Sequence, residues 1–280
     1  MAGGAIAQPG ALPDAPIGVF DSGIGGLTVL AALMQALPHE RFVYLGDTAR
    51  LPYGTKTAHT VARYAQQAAQ ALVRHGIKCL VVACNTAASV GLEAVRAGLG
   101  ALPVIGVIEP GARAACAATA SGHIAVIATE ATVRGGAYPQ AILEQRSDAR
   151  IRQLPTQLLV ALAEEGLVDG PVARAVVNHY LGPMFDSAAA PDTLVLGCTH
   201  FPVLAATIRE VVGPAVRIVD SAVTTAAAVR AGLLAAGCAR TAGSQSLQFM
   251  ATDGPERFAR VGSRFLGRTI DPRRIELIDL

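Results

Sequence analysis

Aromatic side chains make up only 4% of the 280 residues, and tryptophan is absent. Stacking platforms of the kind that grip single-stranded nucleic acid are therefore missing. Charge of one sign is missing too: 23 Lys and Arg stand against 21 Asp and Glu, with no basic stripe, which argues against nucleic acid as the main partner. Cysteines number five, an odd count for a chain of this length, and none is spaced Cys-x-x-Cys. A disulfide framework and a zinc site are not expected, and free thiols point to a reducing, cytoplasmic compartment. Long uninterrupted apolar runs are lacking. Arg230 breaks the stretch 222–236, and Pro103, Glu109, Pro110 and Arg113 break 101–120, so neither supplies the roughly 20 residues a spanning helix needs. Residues 1–16 contain no Lys or Arg, unlike the start of a secretory signal, and read as a disordered Ala/Gly/Pro tail.

Hydrophobic residues are abundant, at 52%, enough for a substantial core. They fall into short runs. The most informative is Cys79-Leu-Val-Val-Ala-Cys84, followed by Asn85-Thr86, and it has an echo in Thr193-Leu-Val-Leu-Gly-Cys198, followed by Thr199-His200. Apolar runs of this length, bounded by polar residues, read as buried parallel strands, and open α/β sheets bind ligands at the carboxyl ends of such strands. Ten candidate strands alternate with helices along the chain, more than one open sheet usually holds. The expectation is an α/β protein of two pseudo-symmetric, doubly wound, flavodoxin-like parallel-sheet domains, with a site in the cleft between them. One domain would span 17–99 plus 214–280 and carry Asp21 and Cys84; the other would span 100–213 and carry Cys198 and His200.

A cysteine at a helix start has its thiolate favoured by the helix dipole, whereas burial favours the thiol. Either way the group is placed for proton transfer or nucleophilic attack. Cys79, Cys116 and Cys238 have no polar retinue and read as structural. Among six histidines, His200 alone adjoins a candidate thiol, where it could hydrogen-bond Cys198 or cap the following helix. Asp21-Ser-Gly-Ile-Gly-Gly26 turns a strand into a helix without the pattern of a P-loop or a dinucleotide fingerprint. Its exposed N–H groups suit a carboxylate as well as a phosphate, and Asp21 itself reads as a turn or N-cap residue. The loop 46–56, with Pro52-Tyr53-Gly54, is rich in hydrogen-bonding capacity.

Taken together, Val19–Val29, Tyr44–Lys56, Ala83–Ala87 and Leu196–Pro202 resemble four signature segments of the bacterial glutamate racemases, and the resemblance extends to Asp220-Ser221 and to 252–258. It implies a cofactor-independent, two-base interconversion of L- and D-glutamate that supplies peptidoglycan synthesis. Cys84 would take the α-proton from D-glutamate and Cys198 from L-glutamate, with Asp21 and His200 assisting the two thiols. Substrate contacts would come from Asp21, Ser22, Pro52, Tyr53, Gly54, Asn85, Thr86, Thr199 and His200, with Thr129 and Thr132 matching a threonine loop. Glu164 would match an acidic residue near the substrate ammonium. The resemblance also implies a homodimer without a metal or membrane partner. Competing readings are an aspartate racemase or related enzyme of the same superfamily, a thiol redox protein in which Cys84 and Cys198 form a reversible disulfide, and a non-catalytic binder of an acidic metabolite.

Overall fold

A computed structural model of the chain describes residues 13–187 and 189–280. Among these residues ten strands are present, at the positions expected from the sequence: β1 (Ile17–Asp21), β2 (Arg41–Gly46), β3 (Cys79–Val82), β4 (Val104–Gly106), β5 (His123–Ala128), β6 (Arg150–Pro155), β7 (Thr193–Gly197), β8 (Arg217–Asp220), β9 (Ser246–Ala251) and β10 (Ile275–Leu277). They form two wholly parallel sheets, a six-stranded one in the order β10-β9-β2-β1-β3-β4 and a four-stranded one in the order β6-β5-β7-β8. Every residue of β1, β3 and β7 is buried, as continuous apolar runs covered by helices on both faces require. At the edge of the smaller sheet, β6 turns Arg150 and Arg152 outward, and charge there discourages pairing with another chain.

Both sheets are wound in two directions from their first strand. From β1 the chain goes to β2 on one side and then to β3 on the other; from β5 it goes to β6 and then to β7. The carboxyl ends of β1 and β3, and of β5 and β7, are thus the two points where the winding reverses, and a crevice opens at such points. Ser22 and Cys84 leave the first, and Thr129 and Cys198 leave the second.

Two expectations about chain limits need correction. The strand Val104–Gly106 pairs with β3, and Arg217–Asp220 pairs with β7, so the first sheet extends past residue 99 and the second past residue 213. The helices Ile108–Ala118 and Ser221–Ala235, which follow these strands, carry the chain from one sheet to the other. Of the expected disordered tail 1–16, residues 13–16 are described and held in place. Although most of 1–16 lies outside the described residues, Lys78 Nζ donates to the Pro13 carbonyl at 2.8 Å and Arg240 pairs with Asp14 at 2.9 Å. Lys78 is anchored in turn by a fully buried ion pair with Glu40, 2.6 Å, at the amino end of β3.

Among the described residues no helix is long and apolar enough to cross a membrane.

Candidate active site

A cavity of about 680 Å³ lies where the carboxyl ends of the two sheets face each other, and both Cys84 and Cys198 line it. Its size falls within the roughly 300–1,000 Å³ usual for small-molecule sites. Ser22, Pro52, Tyr53, Gly54, Asn85, Thr86, Thr129, Glu164, Thr199 and His200 are also on its walls. Of the residues expected at the site, Asp21 and Thr132 are not exposed to the cavity: both are fully buried directly behind it.

Cys84 is the N-cap of the short helix Asn85–Val90, and its Sγ accepts from the Ala87 N–H at 3.4 Å. Ser22 Oγ lies 3.4 Å from the same sulfur. The helix start and the burial of this thiol act in opposite directions, and burial prevails. Desolvation, reinforced by the charge of Asp21, pushes the Cys84 thiol up to about 12 despite the two hydrogen bonds. Asp21 is held by the Gly23 N–H at 2.9 Å, and burial raises its carboxyl above the ordinary range against the opposing pull of His200.

Cys198 has different company. Its Sγ is 3.7 Å from His200 Nδ1, and His200 Nε2 is 3.0 Å from Glu164 Oε1, so both ring nitrogens are engaged. Burial works against an imidazolium here, but the contacts with Cys198 and Glu164 outweigh it and push His200 up to about 10. Glu164 loses ionisation to desolvation, yet His200 and Arg257 more than compensate and bring it down to about 2. Both carboxylate oxygens are engaged, the second by Arg257 at 2.6 Å.

Hydroxyls and glycines join the two walls. Thr86 Oγ1, from the first half, is 2.9 Å from Thr129 Oγ1 and 3.2 Å from Thr132 Oγ1, both from the second. The Thr28 hydroxyl donates to the Thr199 carbonyl at 2.9 Å. Gly25 backs so closely on Thr199 and His200 that a Cβ there would sit 2.4 Å from each, and one at Gly54 would sit 2.9 Å from Thr129. These two positions need glycine because backbone itself forms the contact between halves. The loop bearing Tyr53 is braced by Asp47, a buried carboxylate that accepts from the Tyr53 hydroxyl, from Arg50 Nε at 2.7 Å and from Thr252 Oγ1 at 3.0 Å. Arg50 also lies over the Tyr64 ring, 4.2 Å from its centroid. Asn85 accepts from the Tyr138 hydroxyl at 2.7 Å, which leaves its buried Nδ2 without a partner at the cavity wall. An unpaired buried donor costs free energy unless a ligand completes it.

Sequence reasoning missed Gln157, Val160, Ala161, Tyr180 and Arg257 on the cavity wall. Gln157, Val160, Ala161 and Glu164 share one face of the helix Gln157–Glu165, and that spacing was the signal available. Arg257, on the helix Pro255–Leu266, carries no local mark that separates it from a solvated arginine. No group of three or more His, Cys, Asp or Glu side chains among the described residues is arranged to hold a metal ion.

The profile of the Asp/Glu/Hydantoin racemases matches residues 22–231. A glutamate racemase of Geobacter metallireducens is 48% identical over 91% of this chain and 94% of its own. The crystal structure of glutamate racemase from Thermus thermophilus in complex with β-chloro-D-alanine superposes with a TM-score of 0.86 at 43% identity, covering 96% of this chain and 98% of that one. That of glutamate racemase from Francisella tularensis in complex with D-glutamate gives 0.88 at 34% identity, again over 96% and 98%. With its two-sheet architecture and a profile match over most of its length, the chain belongs to the Asp/Glu racemase family.

Proposed function

We propose that the protein is a glutamate racemase that carries the Cα proton of glutamate between Cys84 and Cys198. The observation that supports this most directly is that the two thiols, each following the third strand of its own sheet, line one cavity. Inversion at Cα needs a base on one face and a proton donor on the other, and two sulfurs from two facing halves meet that need with the chain's own groups.

In the direction from L to D, the Cys198 thiolate takes the Cα proton. The electron pair of that C–H bond spreads into the α-carboxylate, and Cys84 gives its S–H proton to the opposite face of Cα. Cys198 ends as the thiol and Cys84 as the thiolate, and the D-to-L direction is the reverse. Negative charge developing on the carboxylate calls for preorganised donors. The Asn85 Nδ2, the hydroxyls of Ser22, Thr86 and Thr199, and the N–H groups at the start of the Asn85–Val90 helix serve that purpose. A Cys84 thiol held up to about 12 carries its proton at neutral pH, which makes the free enzyme ready for L-glutamate. His200 is the route by which a proton reaches or leaves Cys198, and Asp21, behind the cavity, assists Cys84. Pro52, Tyr53 and Gly54, from the loop braced by Asp47, with Thr129, close the substrate-binding side. The enzyme works as a cytoplasmic homodimer, and its D-glutamate enters peptidoglycan.

The presence of D-glutamate in the similar Francisella structure favours glutamate over aspartate as substrate. The test is exchange in deuterated water: either enantiomer of glutamate should gain deuterium at Cα. A folded protein that exchanges neither would refute the racemase reading, and exchange confined to aspartate would move the substrate within the family.

A further inference from the structure

Glu164 is held from two sides by groups that come from different halves of the molecule. His200, after β7, takes Oε1; Arg257, on the helix between β9 and β10, takes Oε2 from across the cleft. The same helix adds two further contacts. Arg264 Nη1 donates to the Glu164 backbone carbonyl at 3.2 Å, and the Phe265 ring meets the His200 ring edge-on with centroids 5.2 Å apart. The four-residue chain therefore runs Arg257, Glu164, His200, Cys198, from a half-exposed guanidinium to a buried sulfur.

We propose that Arg257 is a positioning residue for the Cys198 half of the reaction: by fixing Glu164 it holds the His200 ring with Nε2 bonded and Nδ1 turned to the sulfur. Glu164 sits in the last turn of its helix at the cavity wall, and its side chain is 16% exposed. Without Arg257, Oε2 would have no protein partner, and rotation to reach water would take Oε1 off His200. Every charged or titratable group turned toward this pair contributes to its ionisation. From the second half these are Cys198 and Glu164 itself; from the first, Asp21 behind the cavity, Arg257, and Arg264 on the Glu164 carbonyl. Arg257 is the one cation among them that touches the Glu164 carboxylate from the opposite half. Releasing Glu164 lets the His200 value fall from about 10 and the Glu164 value rise from about 2, so the range of pH over which the pair is correctly charged narrows from both ends.

The inference rests on the racemase reading, and the assay separates the two. Glutamate racemisation by the unaltered enzyme is measured first by circular dichroism, and its absence would overturn the reading and this proposal together. Given activity, Arg257→Met should lower kcat/KM about tenfold, the modest end for a charge-assisted hydrogen bond because Arg257 is half exposed. The loss should be equal for both enantiomers, because their equilibrium constant is fixed at one. The alkaline limb of the pH profile should move to lower pH. Arg257→Lys, which keeps the charge and guards against a folding failure in the first variant, should recover most of the activity and the profile. In a Glu164→Gln background, Arg257→Met should cost nothing more. An unmoved pH profile, or an undiminished loss in the Glu164→Gln background, would show that Arg257 acts through general packing or on the substrate and would overturn the proposal.

Discussion

The two thiols occupy equivalent places in their sheets and unlike places electrostatically. Cys84 caps a helix, is buried, and has a neutral hydroxyl and a buried carboxylate for neighbours. Cys198 stands before a short 3-10 turn, Phe201–Leu204, and is served by an imidazole that is itself backed by a carboxylate and a guanidinium. Topology accounts for the position of each sulfur; the groups placed around each one differ in kind and in charge. The difference teaches that a repeated scaffold can place two bases symmetrically around a carbon while each wall is tuned separately.

The strongest way to break this comparison is to remove one sulfur at a time. Cys84→Ser and Cys198→Ser should each lower racemisation by on the order of 10²–10⁴-fold, since an alcohol is a far poorer base and general acid–base groups contribute about that much. In deuterated water each variant should retain slow exchange into one enantiomer only, and into opposite ones, because the surviving thiol still addresses its own face of Cα. Equal exchange of both enantiomers by either variant would contradict the assignment of the two faces.

Next in size are the donors. Asn85→Ala, on the Cys84 wall, should lower kcat on the order of 10²-fold if its free Nδ2 meets the developing carboxylate charge, as measured by initial rates at saturating glutamate. Thr199→Ala, on the other wall, should cost less, because Thr199 keeps its backbone carbonyl contact with Thr28 and loses one hydroxyl.

The smallest expected effect concerns stability and sharpens the contrast between walls. Glu164 has a folded value near 2, below its ordinary 4.5. A depressed carboxyl contributes stability above the unfolded value and loses it as pH falls through the folded one. The melting temperatures of the wild type and Glu164→Gln should therefore differ at pH 7 and converge between about pH 4.5 and pH 2. Cys84 works in the opposite sense. Its value is raised, so the stability it contributes is complete below about 9 and is lost as pH climbs toward 12, which a Cys84→Ala variant should not share.

Much of this arrangement could be read from the chain. Continuous apolar runs ending in Gly or Ala and then Cys identified β3 and β7 and the thiols that follow them. Sheet membership was not legible for Val104–Gly106 or Arg217–Asp220, because a three- or four-residue run indicates a strand but not which neighbour it pairs with. Tertiary packing decides that. The state of Cys84 was open for a related reason: helix dipole and desolvation have opposite signs, and only the depth of burial chooses between them. Arg257 stayed hidden because its meaning depends on Glu164, 93 residues away in sequence.

Because β9 and β10 return to the first sheet after the second is complete, the smaller half is an insert within the larger one. Loss of everything from Ser246 onward would leave both sulfurs, their strands and the helix Asn85–Val90 in the chain. It would nevertheless strip the flank of β2, the Thr252 brace beneath the Tyr53 loop, and the helix that reaches over to Glu164. A shortened protein of that kind would keep its two reactive atoms and lose the frame that aims them.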